Sequence, residues 1–335
     1  MRRATDLYDR IGEYDNLVSA FHGASRGKRE RYAVRNFSAE LNRNIQILRQ
    51  QLFEQQVVWH GYRMFHILDP KPRRIAAPAF SDRVLHHAII QVIEPELERV
   101  AVFDSYACRT GKGAHRAVER ARTFCGRYEW FLQLDVRKYF DSISHGVLER
   151  LFERRFKDQA LLGLLRGLLA SYSTKPGVGI PIGSLTSQYF ANFYLSRLDH
   201  FAQEVLRSPG YVRYMDDFVL FSNDREFLVA ARERIEGFLR VELELELKNS
   251  GNLDRTGAGL GFLGALITGS HVRLMGKSKR RLRRKLKRLV SAFDGGQIGG
   301  QELSVRGVAL LARTEHAKAW GLRARWIADF ADVDG

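Results

Sequence analysis

Cysteine is nearly absent: Cys108 and Cys125 are the only two in 335 residues. Two thiols cannot build a disulfide framework or a four-ligand structural zinc site, which excludes the stapled secreted scaffolds. Long apolar runs are missing too, and no stretch approaches the roughly 18 residues that a membrane span needs. The opening residues Met1-Arg2-Arg3-Ala4-Thr5-Asp6-Leu7 hold no apolar signal core, so a soluble cytoplasmic protein is expected. Acids are in deficit, with 38 Asp and Glu against 54 Lys and Arg, a net charge of +16. So large an excess calls for a polyanionic partner, either a nucleic acid or an anionic membrane surface. Otherwise the composition is ordinary: 45% hydrophobic and 27% charged residues exclude a disordered or collagen-like chain. Repeats and low-complexity tracts are also lacking. The length supplies material for about two domains.

Along the chain, Arg35 to Glu40 followed by Leu41, Ile45 and Leu48 predicts one capped amphipathic helix. Asp82-Arg83 opens a helix through Leu85, Ile89 and Ile93. Trp130 to Leu134 predicts a strand ending on Asp135, and Asp141 or Ser142 is expected to cap the next helix. Tyr211 to Tyr214 and Phe218 to Phe221 predict a tight hairpin with Asp216 and Asp217 at its tip. A helix follows around 225–240, and Leu243 to Leu247 alternates as a strand. His271 to Phe293 holds ten Lys or Arg and no acid. Leu282, Leu286, Leu289 and Phe293 fall on one face there, which predicts a basic amphipathic helix. Glycines 295, 296, 299 and 300 break the chain before a last helical region with Trp320 and Trp326. His86, His87 and His115 are expected to pack or cap, because no further ligand stands at metal spacing.

Three carboxylates stand where strands end. A single strand-end Asp is usually a turn residue. Two adjacent acids inside an apolar hairpin repel one another unless a cation offsets them. Phosphoryl transfer needs that arrangement, since its demands are charge neutralisation and in-line positioning. Magnesium, a hard cation that keeps several waters, needs only a few Asp oxygens.

Tyr214-Met215-Asp216-Asp217 resembles the catalytic box of reverse transcriptases. Asp135-Val136-Arg137-Lys138-Tyr139-Phe140-Asp141 resembles their first metal motif, and Gly179 to Gln188 the motif contacting template and incoming nucleotide. Lys71 to His87 resembles the fingers segment, and Gly259 to Gly264 the primer grip. These segments run in the family's order over residues 60–270. Most members carry Gln-Gly where this chain has Ile182-Gly183, and Ser-Pro where it has Ser187-Gln188. That pattern, with His86-His87 after Asp82-Arg83, is similar to reverse transcriptases of diversity-generating retroelements.

The resemblance implies an α+β right-hand polymerase: a helical extension over 1–60, fingers over 61–130 with part of 142–178, an antiparallel palm over 131–270, and a helical thumb over 271–335. It leads to the expectation of a short chain with no RNase H, endonuclease or integrase domain after residue 335. Asp135 and Asp216 are expected to hold two Mg2+ (or Mn2+) ions, assisted by the Val136 carbonyl. Asp217 is either a ligand or a charge-orienting neighbour. Phe140 matches the gate against a ribose 2′-hydroxyl. Lys71 with Arg73 or Arg74 is expected to clamp the dNTP triphosphate. Gly183 lets the backbone approach the template–nucleotide pair, Ile182 removes an amide that could police it, and Gln188 shares that surface. Lys248 stands where a general acid for pyrophosphate is often found, although a solvated strand-end charge suits it as well. Phe262, Leu263 and Gly264 form the primer grip; Lys279, Arg280, Arg283, Arg284 and Lys287 grip the template–primer duplex.

The implied activity is RNA-directed DNA synthesis from a template-repeat RNA, with errors opposite adenine. The implied partners are that structured RNA, the RNA–DNA duplex, dNTPs and a small helical accessory protein oligomer, with no membrane. The alternatives are another bacterial reverse transcriptase (retron, group II intron-like or abortive-infection type) and a non-catalytic RNA-binding scaffold.

Overall fold

The computed structural model describes residues 4–68, 72–248 and 251–312. Lys71, Trp320 and Trp326 lie outside them. Four helices come first: α1 (Tyr8–Ile11), α2 (Tyr14–Ser25), α3 (Tyr32–Ala39) and α4 (Leu41–Phe53). Strands β1 (Tyr62–Leu68) and β2 (Pro72–Pro78) pair antiparallel ahead of α5 (Phe80–Glu98) and α6 (Ala114–Arg127). After β3 (Trp130–Asp135) come α7 (Tyr139–Ser142), α8 (His145–Arg155), α9 (Gln159–Ala170) and α10 (Leu185–His200). The hairpin β4 (Gly210–Tyr214) and β5 (Asp217–Ser222) precedes α11 (Arg225–Glu242). The short strands β6 (Asn252–Arg255), β7 (Leu260–Phe262), β8 (Ala265–Ile267) and β9 (Val272–Leu274) lead to α12 (Gly276–Asp294) and α13 (Gly300–Ala312). The strands form three sheets, ordered β1-β2, β4-β5-β3-β6 and β7-β8-β9. This is the expected α+β class.

Two compact units emerge. One holds residues 1–103, 135–205 and 233–249; the other holds 104–134, 206–232 and 250–335. In the first unit, Leu17, Ala20, Phe21 and Ala24 repeat at helical spacing and bury one face of α2. Val84, Ala88, Ile89 and Ile93 do the same on α5. Phe21, Phe37 and Phe80 lock α2, α3 and α5 together, with ring centroids 5.3 to 6.1 Å apart. The core of the second unit is Val118, Phe124, Phe131, Val212, Val219, Phe221, Phe262 and Ile267. There β4 is the outer strand of its sheet, and the segment Asp104–Tyr106 covers it: Arg213 donates its backbone N–H to Asp104 and accepts from Tyr106, both at 2.9 Å.

Several local expectations are corrected. The helix expected from 35 onward is two helices, because Glu40 leaves helical geometry (φ −120°, ψ 42°). Phe37 is held inside α3 by its stack on Phe21, and the Glu40 carboxylate pairs with Arg43 at 2.8 Å instead of capping. The cap of α8 is Ser144, whose hydroxyl accepts from Val147 N–H; Asp141 and Ser142 lie within α7. Leu243 to Leu247 forms a single bridge, Leu247 to Val136, because Leu243 and Leu245 both turn back to donate to the Leu239 carbonyl. The basic helix starts at Gly276, since Val272 to Leu274 is taken up by β9. Leu282 and Leu286 are buried against Leu310 and Leu311 of α13 and Leu289 is buried as well, whereas Phe293 is 41% exposed.

Candidate active site

The hairpin β4–β5 is apolar on both faces: Tyr211, Val212 and Phe218 to Phe221 are all buried, as a strand covered from two sides requires. Tyr214 pairs with Asp217, so the loop is Met215-Asp216 alone. So short a loop needs left-handed backbone, and Met215 supplies it at φ 57°. Both acids are half-buried at this tip. The loop is clamped from below by Arg213, 1% exposed, which donates to the Met215 carbonyl at 3.0 Å and to the Ser105 hydroxyl at 2.9 Å. A forked bridge from Arg120 holds Asp104, and Tyr106 donates to the same carboxylate. Burial, then Asp104, pushes the Tyr106 phenol well above its ordinary range, so it stays a donor.

On β3, Gln133 donates from one amide nitrogen to Asp217 Oδ1 at 2.9 Å and to the Gly261 carbonyl at 3.1 Å. Asp135 is two residues further, on the same face of the strand, and ends it. Its carbonyl accepts from Lys248 N–H at 2.8 Å, and its carboxylate lies 3.4 Å from Lys248 Nζ. Val136 is buried and bridges to Leu247. Lys248 is thereby an ion-pair partner of Asp135. Among the described residues no three His, Cys, Asp or Glu side chains form a ready metal cluster. The donor chemistry nonetheless fits magnesium: carboxylates and a carbonyl are hard oxygen ligands, and this ion completes its shell with water and substrate phosphate.

Phe140 is half-buried against Tyr139, and its carbonyl accepts from Ile180 N–H at 2.9 Å. That bond ties the segment after Asp135 to the Gly179–Gln188 motif. The Ile182 carbonyl in turn accepts from Ala76 N–H at 2.9 Å, joining the motif to β2. Gly183 has φ +124°, and a Cβ there would come within 2.8 Å of Ile75 and 3.2 Å of the Ala76 carbonyl. The close approach that demands glycine is therefore to β2 of the same chain. Arg73 and Arg74 are exposed on β2 opposite Ile67 and His66. Ser184 caps α10 by accepting from Ser187 N–H, and Gln188 is exposed one residue on.

In the second unit, Phe262 is fully buried in the core, with Leu263 packed against it. Leu263 and Gly264 turn left-handed (φ 49° and 83°), and the Gly264 carbonyl accepts from Ser278 Oγ and Met275 N–H. Lys279, Arg280, Arg283, Arg284 and Lys287 are all exposed on α12. The last four, with Arg288, line an open cleft of about 570 Å³.

Sequence reasoning missed Gln133, Arg213, Ser105 and Asp104. A signal existed for Arg213: a lone cation inside an otherwise apolar strand must find acceptors if the strand is buried.

A family model described as reverse transcriptase (RNA-dependent DNA polymerase) matches residues 69–250. Protein YkfC of Escherichia coli K12 is 27% identical over 263 residues, covering 65% of this chain and 68% of that protein. The group II intron-encoded protein LtrA of Lactococcus lactis subsp. cremoris is 27% identical over 198 residues, which is 57% of this chain and 33% of LtrA. Among solved structures, apo telomerase from Candida tropicalis aligns with a TM-score of 0.50 at 11% identity, covering 80% of this chain and 59% of that one. At that identity the likeness concerns the fold.

Proposed function

The chain belongs to the reverse transcriptase (RNA-dependent DNA polymerase) family, and on that premise we propose that it extends a DNA primer on an RNA template. The observation that carries this reading is the pair Asp216–Asp217, one on the two-residue loop and the next opening β5, with the loop clamped by Arg213 and Asp217 touched by Gln133. Such a loop has little freedom to relax when charge gathers upon it, which is what preorganised electrostatic catalysis needs. Asp135 and Asp216 hold the divalent ions, with the Val136 carbonyl assisting and Asp217 either ligating or orienting. When bound, Mg2+ neutralises the charge that develops as phosphate is transferred. Phe140 excludes a ribose 2′-hydroxyl, Arg73 or Arg74 steadies the triphosphate, and the α12 cations hold the duplex backbone. In this reading the N-terminal helices form an extension, β1–β2 belong to the fingers, the β4-β5-β3-β6 sheet to the palm and α12–α13 to the thumb.

Primer extension with Mg2+ tests it. Asp216→Ala is expected to lower synthesis by at least about 10²–10³-fold; undiminished synthesis by that variant overturns the proposal in favour of an RNA-binding scaffold.

Two cellular uses remain in competition, each with its own support. Ile182-Gly183 and Ser187-Gln188 favour copying of a template-repeat RNA with errors opposite adenine, in company with a small helical accessory protein. The likeness to LtrA favours a group II intron-like polymerase. Error spectra separate them: the first predicts adenine-directed misincorporation that Ile182→Gln reduces. Errors spread evenly over the four template bases, unchanged by Ile182→Gln, favour the second.

A further inference from the structure

Gln133 is the one uncharged polar residue of β3, which otherwise reads Trp-Phe-Leu before it and Leu-Asp after it. Its amide nitrogen carries two protons and faces two acceptors, Asp217 Oδ1 at 2.9 Å and the Gly261 carbonyl at 3.1 Å. Turning the amide over would set its oxygen against both, so the donor assignment follows from chemistry. One side chain thereby joins three strands: its own, β5 at the first residue, and β7 at the middle residue.

We infer that Gln133 is a positioning residue: it fixes the Asp217 carboxylate for divalent-ion binding and couples that carboxylate to β7. The inference rests on the polymerase reading of the β4–β5 loop. A neutral amide suits the task better than its alternatives. A lysine or arginine there would neutralise Asp217 and compete with a metal ion for it, while a second carboxylate would repel it. An aliphatic residue of equal size would fill the space without restraining the acid. Gln133 restrains it through a hydrogen bond without cancelling its charge. Outer partners of this kind typically change metal affinity or activity by about 10–100-fold when removed.

The test uses the full chain and Mn2+ as a paramagnetic probe. Gln133→Met keeps the volume and loses both donors. It is expected to weaken Mn2+ binding, read by electron paramagnetic resonance, by about 10-fold or more. It should lower kcat for primer extension comparably, while the dNTP KM and the melting temperature stay near wild type. Gln133→Glu, equal in shape but with acceptors for donors, should fall at least as far in kcat. In an Asp217→Asn background, Gln133→Met should cost no further Mn2+ affinity, because the group it acts through has already changed. Unchanged Mn2+ affinity in Gln133→Met, an equal loss in both backgrounds, or no Mn2+ binding by the wild type each overturns the inference. If the wild type binds Mn2+ but extends no primer, the polymerase reading fails while the titration still decides the role of Gln133.

Discussion

His86 lies on α5 with 1% of its surface exposed, its Nδ1 2.9 Å from the Thr186 hydroxyl and its Nε2 without a hydrogen-bond partner among the described residues. Burial, reinforced by His87 and Arg83, pushes this imidazole down to about 3. The folded chain therefore keeps it neutral, whereas the unfolded chain protonates it near 6.5. The resulting stability is complete above about pH 6.5 and is lost progressively as pH falls toward about 3. By about pH 4.5, roughly two units below the unfolded value, the loss amounts to roughly 2–3 kcal/mol. Thermal melts between about pH 7.5 and about 4.5 check this: His86→Phe should show a visibly shallower acid decline than wild type, and parallel curves would refute it. The packing role of His86 was legible in the sequence, since no companion ligands stood nearby. Gly183 was legible only as a demand for room. What occupies the other side, Ile75 and the Ala76 carbonyl of β2, depends on a segment more than a hundred residues away in sequence. Gln133 was illegible for the same reason, and Arg213 signalled only a need for acceptors: an isolated polar side chain in a strand does not reveal which groups face it.

At the scale of elements, Asp158 serves two helices. One carboxylate oxygen caps α9 by accepting from Leu161 N–H at 3.1 Å; the other accepts from Leu7 and Tyr8 N–H at the start of α1, at 3.0 and 2.8 Å. Both ends leave orphan N–H groups that need an acceptor. Asp158→Ala is therefore expected to cost about 2 kcal/mol, twice an ordinary cap, with Asp158→Asn, which keeps one acceptor oxygen and sets an NH2 against the other helix end, recovering at most about half of it. A melting temperature unmoved by Asp158→Ala would contradict the double role. Element readings succeeded where one periodicity dominated: the β4–β5 hairpin and its acidic tip are as expected. They failed where a tertiary contact overrode the local pattern. Leu243 to Leu247 alternates like a strand, yet both leucines at 243 and 245 are fixed by the end of α11. Arg35 to Leu48 is continuous in pattern, yet Glu40 breaks it in two.

For the whole molecule, the net charge of +16 calls for a polyanionic partner, a nucleic acid or an anionic membrane surface. Part of that charge is concentrated on α12, whose apolar side is covered by α13 and whose cations are left outward. Each backbone phosphate that the protein no longer neutralises should reduce the slope of log affinity against log salt by about 0.7–0.9. Replacing Arg280, Arg283, Arg284 and Lys287 by Gln should flatten that slope for an RNA–DNA duplex by up to about 3.6, with melting unchanged. An unaltered slope would remove α12 from the duplex-binding surface. In the polymerase reading, the identity of the template leaves little trace in these residues, because hydrogen bonds to a phosphate backbone carry no base identity.

The segment Asp104–Tyr106 takes both backbone groups of Arg213 on the outer strand β4, and the opposite rim, β6, shows Asp254 and Arg255. Unsatisfied rims invite foreign strands to zip on, the first step toward fibrous precipitates, and charged rims discourage it. With one margin engaged at Arg213 and the other bearing Asp254 and Arg255, the sheet that carries the acidic loop gives crowded copies a shortened seam along which to polymerise.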